Sequence, residues 1–232
     1  MNGHWIDIAA HDGGSFGAYV STPPKGSGPG LVVLQEIWGV NEHIRDVADQ
    51  YAMDGFMVYA PDVFWRQQPR VDLGYNEIDT PKAFAFMTAL DATNAAKDLG
   101  ATAAALRANS ACTGKVASLG FCMGGRLSFV CAADSAVDAA VCYYGGGIHT
   151  MLDRARDIKV PMLLHFAEND GYIPMTAVES VKTAFGDRDN VGIDVYGGVD
   201  HGFNCWGRPM YNQRAAALAR GRSLSFLAGV IC

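Results

Sequence analysis

Two hydrophobic patterns alternate along the chain. Short continuous apolar runs at Leu31–Leu34, Phe56–Tyr59, Val116–Leu119, Ala139–Tyr144, Met162–Phe166 and Gly192–Tyr196 have the length of strands buried on both faces. Between them lie helical patterns: from Asn41 to about Met53, from Thr80 to about Ala108 with a break near Asp91, and over Gly124–Ala133, Pro174–Ala184 and Tyr211–Leu227. Asn41 has the short polar side chain of an N-cap, Gly55 ends the first helix, and Thr80-Pro81 reads as an N-cap with a first-turn proline. Ahead of these, Ile6–Ala9 and Phe16–Val20 read as short strands around a turn at Asp12–Gly14, an edge hairpin, and Thr22–Gly30 is a turn-rich loop. Buried strands alternating with helices predict an α/β fold, a mostly parallel sheet covered by helices on both faces. Such sheets carry their sites at the carboxyl ends of the strands.

Composition adds boundaries to this picture. The chain has 232 residues, half of them apolar, and no linker or repeat divides it, so residues 1–232 are expected to form a single domain. A net charge of −6 leaves no basic footprint for nucleic acid, and an anionic substrate would need a local cation. No apolar stretch approaches the roughly 18 residues of a membrane span. Met1–Ala10 lacks the basic start and apolar core of a signal peptide, and the six cysteines are scattered without CxxC pairs. Free thiols in a reducing, cytoplasmic compartment are therefore expected, and a monomer.

The candidate chemistry begins at Gly120-Phe121-Cys122-Met123-Gly124, a Gly-x-nucleophile-x-Gly sequence between a strand and a helix. A nucleophile at such a bend needs hydrogen-only neighbours, and the helix N-terminus beside it favours an anion. The plainer reading is a buried cysteine flanked by glycines. Two further residues tip the balance. Asp170, in Glu168-Asn169-Asp170-Gly171, and His201, in Gly197-Gly198-Val199-Asp200-His201-Gly202, each follow the end of a predicted strand. The order nucleophile, acid, histidine is that of an α/β-hydrolase, with His201 as proton carrier and Asp170 holding its tautomer. His165 and Glu168 lie at ligand spacing, but His165 sits inside an apolar run, so no metal is expected. Gly145-Gly146-Gly147 lacks dinucleotide-binding spacing, so no cofactor is expected either.

These residues also carry a family likeness. From about Phe16 to Leu227 the chain resembles the dienelactone hydrolases (carboxymethylenebutenolidases), through Gln35-Glu36-Ile37-Trp38-Gly39-Val40-Asn41, Pro61-Asp62, Gly120 to Gly125, Tyr143-Tyr144-Gly145 and His201-Gly202-Phe203. The resemblance implies a cysteine that attacks a lactone carbonyl and forms an acyl-enzyme. It further implies that Glu36 turns to the thiol to take its proton when substrate binds; the alternative for Glu36 is a local hydrogen bond or a pair with an arginine. By the same likeness, the backbone N–H groups of Ile37 and Met123 form the oxyanion hole. The chain departs from the family at Thr80 and Cys205, where the resemblance implies two arginines that bind the substrate carboxylate. Arg208, or more remotely Arg66 or Lys82, could compensate, and Trp38 and Tyr144 are candidate pocket walls. The expected function is hydrolysis of a small lactone or ester. The alternatives are a general carboxylesterase or thioesterase and, outside enzymes, a ligand-binding or thiol-sensing protein on a hydrolase scaffold.

Overall fold

A computed structural model describes residues 3–232. Its eight strands are β1 (His4–Ala9), β2 (Ser15–Ser21), β3 (Gly28–Leu34), β4 (Met57–Pro61), β5 (Cys112–Phe121), β6 (Ala139–Tyr143), β7 (Met162–Ala167) and β8 (Val191–Tyr196). They form one sheet in the order β1-β2-β4-β3-β5-β6-β7-β8. The β1–β2 hairpin lies at one edge; β2 alone runs antiparallel to the other strands, and β3 to β8 all run in one direction. This is the mostly parallel, α/β-hydrolase-like sheet that the sequence pattern predicts.

The helices are α1 (Glu42–Met53), α2 (Asp79–Thr88), α3 (Ala92–Ala108), α4 (Met123–Ala133), α5 (Met175–Phe185) and α6 (Gln213–Ile231). Side chains of a strand alternate between faces, and β3 shows what this does for the core. Leu31 and Val33 pack with Ile44, Val47 and Ala48 of α1. Val32 and Leu34 pack with Leu99, Ala103 and Leu106 of α3. Both faces are thus covered, which is why the strand reads as an uninterrupted apolar run.

Asn41 caps α1 as expected, its Oδ1 accepting from Ile44 N at 3.2 Å. Thr80 does not cap α2. Asn76 turns the chain instead, its Oδ1 accepting from the N–H groups of Ile78 and Asp79 at 3.0 and 2.9 Å. The break before α3 is made by Asp91, whose Oδ1 accepts from Thr93 N at 2.9 Å and Asn94 N at 3.0 Å.

One buried histidine sets an acid limit on stability. His165 Nε2 meets Ser223 Oγ at 3.0 Å and Nδ1 meets Tyr196 Oη at 2.9 Å, inside the sheet layer. Burial, reinforced by Arg222, pulls its pKa down to about 3. It is neutral when folded but charges below about 6.5 when unfolded, so its contribution is complete above that pH and is lost as pH falls toward 3. The expected result is a falling melting temperature from pH 6.5 to 4.5, with a shallower fall in His165→Gln. Equal slopes in the two proteins would place the acid sensitivity elsewhere.

Candidate active site

Cys122 lies where β5 gives way to α4, with φ 55° and ψ −116°, a conformation that L-residues rarely adopt. Its backbone is pinned there by the bond from Cys122 N to Tyr143 O at 3.0 Å. The neighbouring glycines are demanded by contact. A Cβ on Gly120 would lie 2.0 Å from Gly124 O, and one on Gly124 would lie 2.4 Å from Leu34 O and 2.5 Å from Gln35 O. Helix α4 can therefore start tight against the end of β3, and Cys122 and Ile37 come to border one cavity.

Asp170 follows β7 and His201 follows β8, so both come to the same edge of the sheet as Cys122. Asp170 Oδ1 accepts from the N–H groups of Tyr172 and Ile173 at 2.8 and 3.0 Å, which fixes the carboxylate. Its Oδ2 lies 2.7 Å from His201 Nδ1, within a pair that is almost wholly buried. With Nδ1 so committed, Nε2 is left for the sulfur of Cys122 against the imidazole. Burial opposes charge on His201, but Asp170 and the Cys122 sulfur outweigh it and raise the pKa to about 10.

Glu36 follows β3 and is buried to 1% exposure. Its Oε1 is 3.5 Å from Arg208 Nη1 and its Oε2 accepts from Tyr75 Oη at 3.2 Å. The carboxylate thus rests on an arginine, the arrangement held open as the alternative for this residue. Burial raises its proton affinity, and Arg208, His201 and Tyr75 pull it partly back. Cys205 lies beside it, fully buried. Ligand atoms of Glu36, His43 and Cys205 lie within 4.8 Å of one another, a donor set of metal-binding type. A cation there would compete with the Arg208 guanidinium for the carboxylate.

A cavity of about 430 Å³ opens beside the site, with walls that include Ile37, Trp38, Cys122, Met123, His201 and Arg208. Met123 opens α4, so its N–H is among those left free at a helix start. Arg208 stacks over Trp38, 4.7 Å from the ring centre. Tyr144, expected as a wall, is not one. The chain turns it inward at φ 35°, fully buried, with its ring centre 5.0 Å from that of His201. Thr80 borders the cavity but Cys205 does not. Arg66 is bound to Asp12 and Asp98, and Lys82 to Asp79, so neither supplies a cation here. Sequence reading passed over several wall residues, among them Tyr75, Phe84, Met87 and Arg126. Arg126 had one available signal: it lies one helical turn beyond Cys122.

Comparison with known proteins agrees with the fold. The model of the dienelactone hydrolase family matches residues 16–231. A carboxymethylenebutenolidase of Pseudomonas putida is 34% identical over 224 residues, covering 96% of this chain and 95% of that protein. A protein of Azospirillum brasilense, provisionally assigned the same name, is 40% identical over 227 residues, covering 95% of this chain and 96% of the other. Among solved structures, a provisionally assigned dienelactone hydrolase of Klebsiella pneumoniae superposes with a TM-score of 0.86 at 28% identity, covering 98% of both chains.

Proposed function

The chain belongs to the dienelactone hydrolase family, and from that premise we propose that it opens a small lactone or ester through Cys122, His201 and Asp170. The observation that carries the proposal is the strained bend at Cys122. It holds a sulfur at a cavity wall against an imidazole whose far nitrogen is bound to Asp170 at 2.7 Å.

In this reading Glu36 takes the thiol proton as it leaves Arg208, and the sulfur adds to the carbonyl carbon. The oxygen's developing charge falls to the N–H groups of Ile37 and Met123. Collapse breaks the acyl–oxygen bond, and protonated His201 gives its proton to the leaving oxygen, producing an acyl-enzyme. Neutral His201 then takes a proton from water, whose oxygen displaces the sulfur. The sulfur recovers its proton from Glu36, and the acid product departs. Two features support these roles: the raised proton affinity of His201 suits it to hold a proton until the leaving group needs one, and that of Glu36 suits it to accept one. A single domain over 1–232 belongs to the same reading.

Glu36→Gln keeps the shape but cannot take a proton. Acylation is expected to slow by about 10²-fold, in line with the loss of one general base. The check is the rate at which a mechanism-based ester inactivates each protein. Equal rates would remove Glu36 from the proton path.

A further inference from the structure

The wall of the cavity is mainly apolar, yet two guanidinium groups face it, Arg126 and Arg208. Arg208 is engaged by Glu36 at 3.5 Å and by the Trp38 ring at 4.7 Å. The side chain of Arg126 enters no hydrogen bond or ion pair among the described residues; its backbone N–H makes the ordinary helical bond to Cys122 O at 3.2 Å. A half-buried cation against apolar walls without a counter-ion gives up hydration and receives nothing in return.

The backbone has made room for that side chain. Gly147 has φ +91°, and a Cβ there would come within 3.2 Å of Arg126 Cδ and 3.3 Å of its Nη1. The arginine lies across this glycine, and Gly146 and Gly147 border the same cavity. Its register is equally specific. Cys122 caps α4 and Arg126 stands one turn later, so the two share a helix face with Cβ atoms about 6 Å apart.

Resting on the hydrolase reading above, we infer that Arg126 is a specificity-determining residue that pairs with an anionic group of the substrate. The two side chains start one helical turn apart, so an acyl chain of a few carbons is a suitable probe length for that group. A carboxylate fits the guanidinium fork best, through two parallel charge-assisted bonds. With a net charge of −6, the protein as a whole does not attract such a group, so the recognition is local.

The test compares two esters of one shape, p-nitrophenyl hemiglutarate and p-nitrophenyl 5-methylhexanoate, which differ in a terminal carboxylate against an isopropyl group. The readout is the ratio of their kcat/KM values, anionic over neutral. In Arg126→Met this ratio is expected to fall at least about tenfold, mostly through KM, with partial recovery in Arg126→Lys. A ratio unchanged in Arg126→Met, or equal losses on both esters, overturns the assignment. If the wild-type protein cleaves neither ester, the hydrolase reading fails on its own. The subsite is then read by calorimetry of glutarate binding to the Cys122→Ala protein with and without Arg126→Met. Weaker binding in the double variant upholds the anion subsite, and equal binding overturns it.

Discussion

Replacing Cys122 with alanine is expected to remove turnover, lowering kcat by about four orders of magnitude or more, as loss of a covalent nucleophile does elsewhere. Folding should survive. The side chain is only partly buried, and the bend is held by the backbone bond to Tyr143 O at 3.0 Å, which alanine leaves intact. The positive φ of 55° strains alanine and cysteine alike. Intact-protein mass measured after mixing with a slow ester gives the second readout. Wild type should gain the mass of the acyl group, and the variant should gain none. A Cys122→Ala protein that keeps the wild-type rate would put the nucleophile somewhere else.

The other large effect falls on the fold. Gly124→Ala would place a methyl group 2.4 Å from Leu34 O and 2.5 Å from Gln35 O, both backbone atoms without a rotamer to escape into. Helix α4 must then retreat from the end of β3. Overpacking of this kind costs about 3 kcal/mol, which thermal or denaturant unfolding will read directly. Activity should fall further than stability, because the residues displaced adjoin Glu36, Ile37 and Met123. Normal stability together with normal turnover would mean that the helix start is not held as closely as these contacts require.

Much of this was legible from local pattern because each element's burial is written in its own residues. Val116–Leu119 and Met162–Phe166 announce strands by being apolar on both faces. The start of β5 was not legible, since Cys112 to Lys115 is exposed or half-exposed and carries no apolar run. Thr80-Pro81 misled because it mimics a helix start, while the turn is made by an asparagine outside the predicted helix. Cys122, Asp170 and His201 could be found because each directly follows a strand, and strand ends are visible in sequence. The partner of Glu36 could not. Arg208 is 172 residues away, and nothing local distinguishes it from a solvated cation. Arg126 was hidden for the same reason: an arginine on a helix looks like surface until the wall opposite it is known. Tyr144 erred in the other direction, since an aromatic next to the site reads as a wall whether it faces the cavity or lies behind a catalytic ring.

Helix α2 divides the molecule's labour. Thr80, Phe84 and Met87 stand at successive turns and face the cavity, yet Ala83 is the one residue of that helix that is buried. The reacting groups sit on the ends of interior strands, where a change of residue disturbs the whole core, while much of the boundary that a substrate meets hangs on a thinly anchored segment. Selectivity can therefore drift by exchanges along three helical positions at little thermodynamic risk. Diversification of substrate range on this scaffold should concentrate there and leave the chemistry undisturbed.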